Sequence, residues 1–276
     1  MKKFIGVFTV IIMIVTTMAS CSGEGKIYPV SREEGSGTRS AFAELTGMTK
    51  ETGSDMITQR SEITNSTAVM LQTIAANENA IGYVSLGSMS DTVKGVKIDG
   101  VSGTAENIQK GSYKIARTFN LVVGEKLSPL TKDFISYITS RQGQNIVQQQ
   151  GYIKKEGAPI YEKKKSMAGK ITIAGSTSVA PVMEVIGARD MDLYPKVKIE
   201  IQQSGSSAGI LAVSQGICQI GLSSREIQAG EANLGLTTVP IAKDGIVIIV
   251  SPENPVSQLS SQQVRDIFSG KREYWQ

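Results

Sequence analysis

The chain has 276 residues, of which 40% are hydrophobic and 20% charged, and its formal net charge is +4. These values are typical of a soluble globular protein whose length suits one large domain or two smaller lobes. The small positive surplus gives no reason to expect binding to nucleic acid. The chain contains no histidine, which excludes Ser-His-Asp and Cys-His nucleophile pairs and histidine-based metal sites. We expect a protein that is not an enzyme and that carries no metal or other cofactor.

Residues 1–20 have the features of a signal peptide. Two lysines form a basic start, an apolar run follows over residues 4–18, and small residues precede Cys21. The run is short for a membrane span and has the flanks of a secretory signal. Its end resembles the lipobox of bacterial lipoproteins, which implies cleavage before Cys21 and attachment to the membrane through lipid alone. The alternative is an ordinary secretory signal with a chance cysteine. Residues 21–25 are then a short flexible tether, and Cys218 is predicted to be a core thiol.

Beyond residue 25, apolar runs of β type alternate with helical patterns, which predicts an α/β fold. The predicted strands cover residues 26–30, 80–86, 116–123, 170–174, 197–203, 219–222 and 245–250. The predicted helices cover residues 39–45, 68–75, 129–149, 210–214 and 259–268, and one more begins at residue 180. Residues 154–170 contain glycine, proline and a lysine run without periodicity, which predicts a solvated linker.

Three strand-to-helix junctions share a cluster of glycine and hydroxyl residues. The clusters are Gly35-Ser36-Gly37-Thr38, Gly175-Ser176-Thr177-Ser178 and Ser204-Gly205-Ser206-Ser207-Ala208-Gly209. A helix N-terminus offers unpaired backbone N–H groups and the positive end of the helix dipole to an anion. Glycine allows close backbone approach, and the hydroxyls add donors of short reach. Three such ends, if they converge, would surround a small tetrahedral oxyanion with donors.

Ordinary N-capping is the alternative explanation for each cluster taken alone. None of the clusters matches a Walker A loop or a complete dinucleotide fingerprint. Arg32 precedes the first cluster and supplies a guanidinium fork that matches two oxygens of an oxyanion. We expect Glu34 to hold that fork through an ion pair, whereas the alternative is a surface arginine with solvated acidic neighbours.

The junctions, taken together, resemble those of the phosphate-binding protein of bacterial phosphate ABC importers. The segments that carry the resemblance are Arg32 to Arg39, Ala174 to Pro181, Gly205 to Gly209, Asn79 to Ser85, Asp244 to Val247 and Asp266 to Lys271. The resemblance implies a two-lobed, type II periplasmic-binding-protein fold that closes on inorganic phosphate. It also implies an extracytoplasmic monomer that delivers phosphate to the permease subunits of an ABC importer.

The resemblance further implies which residues bind the ligand. One lobe would contribute Thr177, Ser178 and Ser206. The opposite lobe would contribute Arg32, Ser36, Gly37 and Thr38, with Glu34 as the partner that orients Arg32.

The chain departs from the family at Ser224, where many members have an aspartate. An aspartate accepts the proton of hydrogen phosphate and repels a fully deprotonated oxyanion such as sulfate, whereas a serine discriminates less by charge. We include Ser224 in the site. A receptor for sulfate or molybdate remains the alternative among binding proteins.

The order of the motifs is a second departure. In the family the Gly-Ser-Thr-Ser motif comes near the mature N-terminus, but here the segment 32–38 opens the mature chain and the family's start follows the linker 154–170. This order predicts a circular permutation. The alternative is a reading frame that spans parts of two tandem gene copies, so that the two partial copies do not complete one fold.

We expect a hinge of two crossing strands, residues 116–123 and 245–250. The lobe that carries Arg32 would then combine residues 26–117 with 244–276, and the other lobe would cover residues 118–243. A signalling or adhesive lipoprotein that kept the fold is a further alternative. A serine hydrolase is the least favoured, because no histidine is present to activate Ser36.

Overall fold

The computed structural model describes residues 25–275, which form an α/β fold. The strands are β1 (Tyr28–Arg32), β2 (Glu62–Thr64), β3 (Ala80–Ser85), β4 (Lys94–Gly95), β5 (Lys97–Ile98), β6 (Ala116–Gly124), β7 (Gly169–Gly175), β8 (Val197–Gln203), β9 (Ile220–Ser223), β10 (Leu236–Val250) and β11 (Gln258–Leu259). The helices are α1 (Gly37–Leu45), α2 (Thr67–Ala76), α3 (Ala105–Gln109), α4 (Pro129–Thr139), α5 (Arg141–Gln149), α6 (Ala180–Leu193), α7 (Ser206–Ser214) and α8 (Ser261–Phe268).

The long strand β10 joins the two halves of the main sheet. Its strand order is β2-β1-β3-β10-β6-β9-β7-β8, and β4 pairs with β10 as well. Residues 236–245 of β10 pair antiparallel with β6, whereas residues 246–250 pair antiparallel with β3. β6 and β10 are therefore neighbours, but of the residues 245–250 predicted for the hinge only Gly245 pairs with β6, and β10 begins at Leu236 instead of residue 245.

Buried apolar side chains form separate cores on the two sides of this junction. One core is built from residues between 119 and 242, among them Phe119 and Ile186. The other is built from residues 27–115 and 246–275, and in it the rings of Phe42 and Tyr83 stack with centroids 4.0 Å apart. Because each core closes within its own part of the chain, the fold has two lobes.

Parallel strands end toward the same edge in each lobe. β7 is parallel to β8 and β9, and β1 is parallel to β2 and β3. In open α/β sheets, ligands bind outside the carboxyl ends of the strands. The loops that follow β1, β7, β8 and β9 contain the residues singled out in the sequence.

The helix predicted over residues 129–149 is two helices in the structure. Ser140 has extended backbone geometry (φ −78°, ψ 168°), and its hydroxyl accepts a hydrogen bond from the N–H of Gly143 at 3.3 Å. A serine in this role begins a new helix because its side chain satisfies a donor that a continuous helix would pair internally. The apolar spacing carries through the break, which is why periodicity alone predicts one helix.

The segment 154–170 contains a buried residue, so the prediction that it is simply solvated is wrong at that position. Tyr161 is only 9% exposed. Its hydroxyl lies 2.7 Å from Asp133 Oδ2 and 2.7 Å from the hydroxyl of Tyr194. These contacts fasten the segment to the 119–242 core.

The two ends of the described chain lie side by side in one lobe. Lys26 and Tyr274 form an antiparallel bridge, the N–H of Ile27 donates to the carbonyl of Glu273 at 2.7 Å, and the N–H of Trp275 donates to the carbonyl of Gly25 at 3.0 Å. The predicted signal peptide, Cys21, residues 22–24 of the tether and Gln276 lie outside the described residues. Within residues 25–275, no helix combines the length and apolar character needed to cross a bilayer.

A buried carboxyl on α6 predicts a pH-dependent loss of stability. Asp190 is 1% exposed, and its Oδ1 has no hydrogen-bond partner within residues 25–275. Burial, together with the nearby charge of Asp133, raises the pKa of Asp190 to about 6. Since an unfolded aspartate titrates near a pKa of about 3.9, the folded state holds this proton more tightly. The protonated Asp190 side chain therefore adds to the free energy of unfolding at low pH, and this contribution is lost as the pH rises to about 6.

Asp190→Asn is expected to remove this penalty. The free energy of unfolding above neutral pH should rise by about 1–3 kcal/mol, since one pKa unit corresponds to about 1.4 kcal/mol, and at pH ~3, below the unfolded pKa, it should hardly change. Urea denaturation at the two pH values measures the difference. Asp192→Asn, on the same helix with its side chain 72% exposed, is the control and should leave both values unchanged. An equal gain at both pH values would contradict the explanation.

Candidate functional site

Two of the three junctions meet directly between the lobes. The Nη2 atom of Arg32 donates to Thr177 Oγ1 at 3.1 Å, and the hydroxyls of Thr38 and Ser178 lie 2.8 Å apart. All four side chains are at most 4% exposed. Arg32 thus faces Thr177 across the cleft, as predicted from the motifs, although 145 positions separate them in the sequence.

The third junction completes the same cluster. The Ser206 hydroxyl accepts from the N–H of Ser224 at 3.2 Å and lies 3.4 Å from the Ser224 hydroxyl. Gly37 enters from the opposite lobe: a β-carbon at this position would lie 2.2 Å from Ser206 Oγ and 2.6 Å from Ser224 Oγ. Only glycine allows the backbone of α1 to come so close.

Local capping geometry explains how the loops present their donors. Ser36 is the N-cap of α1, and its hydroxyl accepts from the N–H of Arg39 at 3.4 Å. Gly205, just before α7, has a φ of +87°, which favours glycine. The N–H of Ser207 donates to the carbonyl of Gly35 at 3.1 Å, so the turn before α1 touches the first turn of α7 across the cleft.

The backbone of Arg32 is held by a buried tyrosine. The hydroxyl of Tyr83 lies 2.7 Å from Ser31 Oγ and accepts from the N–H of Arg32 at 3.3 Å. Burial raises the pKa of Tyr83 to about 12, so this hydroxyl keeps its proton at physiological pH. The end of β1 is therefore fixed where it enters the site.

The prediction that Glu34 orients Arg32 is wrong, because Glu33 has that role. The Nε and Nη2 atoms of Arg32 donate to the two carboxylate oxygens of Glu33, each at 2.8 Å. The N–H of Glu33 still bonds to the carbonyl of Thr64 at the end of β2. The turn begins one residue later, so Glu34 is exposed.

The structure adds two residues that the sequence analysis missed. Thr67 at the start of α2 has its hydroxyl 3.2 Å from Thr177 Oγ1, and Arg117 on β6 donates from Nη1 to Thr38 Oγ1 at 2.8 Å. Ser66 is the N-cap of α2, so the pair Ser66-Thr67 was a fourth hydroxyl cluster at a helix start. Arg117 lies in the β6 strand, whose sequence ARTFNLVVG contains no glycine and hydroxyl cluster, and nothing next to it in the sequence indicated a role.

The cluster is suited to hold a small oxyanion. It combines hydroxyls from both lobes with the guanidinium groups of Arg32 and Arg117, and each guanidinium has one carboxylate partner, Glu33 and Asp244 respectively. Hydroxyl and guanidinium donors bind oxyanions in directed hydrogen bonds. These side chains are buried, and burial strengthens each of these contacts.

Ser224 faces this cluster directly, which sharpens an expectation about anion selectivity. In Ser224→Asp, the new carboxylate would accept a proton from hydrogen phosphate but repel sulfate. We expect sulfate affinity to fall relative to phosphate by at least about tenfold, since like charges in contact cost several kcal/mol. Sulfate competition against bound phosphate measures the ratio. Ser224→Ala is the control, because it removes the hydroxyl without adding charge. An unaltered ratio in Ser224→Asp would mean that this position does not sense the charge of the ligand.

Comparisons with known proteins identify the family. A family profile described as the PBP superfamily domain matches residues 20–142 and 158–276. The phosphate-binding protein PstS 2 of Streptococcus agalactiae serotype V is 47% identical over 262 residues, which cover 93% of this chain and 89% of that protein. The phosphate-binding protein PstS of Pseudomonas aeruginosa is 37% identical over 121 residues, or 41% of this chain and 38% of that protein.

A solved structure agrees with these sequence matches. The crystal structure of the phosphate-binding protein of a phosphate ABC transporter from Streptococcus pneumoniae TIGR4 matches with a TM-score of 0.73 at 41% identity. The match covers 91% of this chain and 98% of that one. The chain therefore belongs to the PBP superfamily and, within it, to the family of phosphate-binding proteins that includes PstS 2.

Proposed function

We propose that the protein captures inorganic phosphate between its two lobes and delivers it to the membrane subunits of an ABC importer. The observation that carries the proposal is the contact between Arg32 of one lobe and Thr177 of the other, inside a buried cluster of hydroxyls. A binding protein that captures a small solute between its lobes needs polar groups from both lobes that meet around the ligand. The streptococcal relatives are named for phosphate binding, which supports phosphate as the ligand.

The binding residues in this proposal come from both lobes. One lobe, residues 118–243, supplies the loops after β7, β8 and β9. The other, residues 26–117 with 244–276, supplies the loop after β1 and the start of α1. The residues proposed to contact phosphate are Thr177, Ser178, Ser206, Ser224, Arg32, Ser36, Gly37 and Thr38.

Calorimetric titration with phosphate tests the function, and two alanine variants test the site. Thr177→Ala and Ser206→Ala should each weaken phosphate binding by about 1–3 kcal/mol, or roughly 5- to 150-fold, because a ligand oxygen loses its donor. Thr46→Ala is the control, since that buried hydroxyl bonds within its own helix turn to the carbonyl of Phe42. It should lower stability without changing affinity. Unchanged affinity in both site variants would remove the loops after β7 and β8 from the site.

Another tetrahedral oxyanion, sulfate or molybdate, is the second candidate ligand. The observation that favours it is the serine at position 224, fully buried against Ser206, where a carboxylate would exclude a fully deprotonated anion. The same titration with sulfate and molybdate separates the candidates. If the protein binds sulfate or molybdate more tightly than phosphate, that anion is the ligand.

We propose that the protein acts outside the cytoplasm as a monomer held to the membrane by a lipid on Cys21. The motif around Cys21 supports the anchor, and the fact that a single chain supplies both sides of the site supports the monomer. Cys21→Ala should release the protein from the membrane fraction. Retention there, or a dimer in sedimentation analysis, would contradict the respective part of the proposal.

We also propose that the order of the chain is circularly permuted relative to other members of the family. The adjacency of Lys26 and Tyr274 supports this. The two new ends of a permuted chain were neighbours along the original chain, so they are expected to lie close in space. The match to the Pseudomonas aeruginosa protein covers less than half of either chain, as expected when a collinear alignment follows only one of two exchanged segments. The match to the streptococcal relative covers 89% of that protein, so nearly all of a family member has a counterpart in this chain, which disfavours a fragment of a tandem gene pair. A chain re-joined between residues 275 and 26 and opened within 154–170 should fold and bind phosphate, and failure to fold would count against permutation.

A further inference from the structure

Arg117 lies between the lobes at the centre of the site. Its side chain is 3% exposed. From Nη1 it donates to Thr38 Oγ1 of one lobe at 2.8 Å and to the carbonyl of Ser224 of the other at 3.3 Å. From Nε it donates to Asp244 Oδ2 at 3.0 Å. The residue therefore touches both walls of the cleft as well as the neighbouring hinge strand.

The Nη2 atom of Arg117 is not used by these contacts. It lies 3.0 Å from Asp244 Oδ2, but the arrangement is too bent to be a hydrogen bond, and no other partner occurs within residues 25–275. Buried donors are nearly always paired, and charged ones are the costliest to leave unpaired. An N–H group of a buried guanidinium is thus free to bind an acceptor in the site.

The charges around Arg117 also favour a bound anion. Asp244 is fully buried and also accepts from Ser85 Oγ at 2.8 Å and from the N–H of Leu86 at 3.1 Å. Burial lowers the pKa of Arg117, Asp244 opposes that shift, and the positive charge of Arg32 adds to it. Two guanidinium groups close enough to repel each other in a buried cluster favour an anion that both can contact.

We propose that Arg117 is a second cationic binding residue, whose Nη2 donates to the bound oxyanion and whose charge favours the doubly charged anion. This rests on the proposed function and goes beyond it. The position also couples the ligand to the hinge, because Arg117 and Asp244 are register partners on β6 and β10. Serine at position 224 fits this role, since a carboxylate there would compete with the ligand for the two arginines.

Three variants separate a binding role from a purely structural ion pair. Arg117→Gln removes the cation, Asp244→Asn removes only its carboxylate partner, and the double variant removes both charges while keeping polar groups of similar size. Each protein is titrated with phosphate and with sulfate in a calorimeter, and its stability without ligand is measured by urea denaturation.

The binding role predicts effects of opposite sign. Arg117→Gln and the double variant should each bind phosphate at least about 30-fold more weakly, as expected for losing a charge-assisted bond. Their loss of affinity for sulfate should be at least as large. Asp244→Asn should keep or raise affinity for both anions, although it lowers stability. If Arg117→Gln fails to fold, the phosphate affinity of the double variant decides between the two roles, since that variant buries no unpaired carboxylate.

A structural ion pair predicts a different pattern. Both single variants would then lose stability and affinity together, and the double variant would recover the affinity of the parent. That recovery would overturn the role of Arg117 while leaving phosphate binding by the parent intact. Failure of the parent itself to bind phosphate would instead overturn the proposed function.

Discussion

Arg32→Ala is expected to weaken phosphate binding by about 2–5 kcal/mol, or roughly 30- to several-thousand-fold, the cost of truncating a buried, hydrogen-bonded charge. Arg32 combines a carboxylate partner on its own loop with a direct contact to Thr177 of the other lobe. Glu33 would stay partly hydrated, because its side chain is 26% exposed. The loss should therefore appear in affinity more than in stability.

Two further variants make this result specific. Arg32→Lys should recover only part of the affinity, because an ammonium group does not reproduce the guanidinium fork. Arg60→Ala is the control: this arginine lies in the same lobe, is 52% exposed and pairs with Glu273 at 2.6 Å. It should bind phosphate like the parent. Parent-like affinity in Arg32→Ala, measured by the same titration, would show that the anion binds elsewhere.

Gly37→Ala is expected to prevent the lobes from closing. The added methyl group would lie 2.2 Å from Ser206 Oγ, 2.6 Å from Ser224 Oγ and 2.9 Å from Ser206 Cβ, all in the opposite lobe. Overpacking of this kind costs about 1–3 kcal/mol or more, so phosphate affinity should fall by roughly 5- to 150-fold or more. Each lobe should stay folded, because the clash arises between the lobes and alanine suits a helix start better than glycine does.

Gly124→Ala is the matched control for this substitution. A β-carbon at Gly124 meets no atom within 4 Å, and the residue does not need a positive φ. Titration and urea denaturation of both variants should show lost affinity with retained stability for Gly37→Ala and no change for Gly124→Ala. A Gly37→Ala protein that binds like the parent would contradict the close approach of α1 to the loop after β8.

The binding loops were predictable because their signal is local. A strand, a cluster of glycine and hydroxyl residues and a helix start occupy fewer than about 15 residues, and capping rules explain each of them. The resemblance to a known family then supplied what local patterns lack, namely that the three loops meet. The contacts of Arg32 with Thr177 and of Gly35 with Ser207 confirm that convergence.

The residues that were missed depend on geometry that the sequence does not display. Glu33 replaces Glu34 as the partner of Arg32 because the turn starts one residue later than the motif suggests. Arg117 becomes part of the site only through the pairing of β6 with β10. The first half of β10 was missed because Pro240 argues against a strand, yet a register shift between Pro240 and Ala242 accommodates it.

A crystal structure of the protein grown with phosphate tests the central claim most directly. We predict one tetrahedral anion between the lobes, bonded to the guanidinium of Arg32, to the hydroxyls of Thr38, Thr177 and Ser206, and to the backbone N–H groups at the start of α1. The lobes should enclose it as they enclose the hydroxyl cluster here. A phosphate bound only outside the cleft, or none at all in crystals grown at a saturating concentration, would contradict the account.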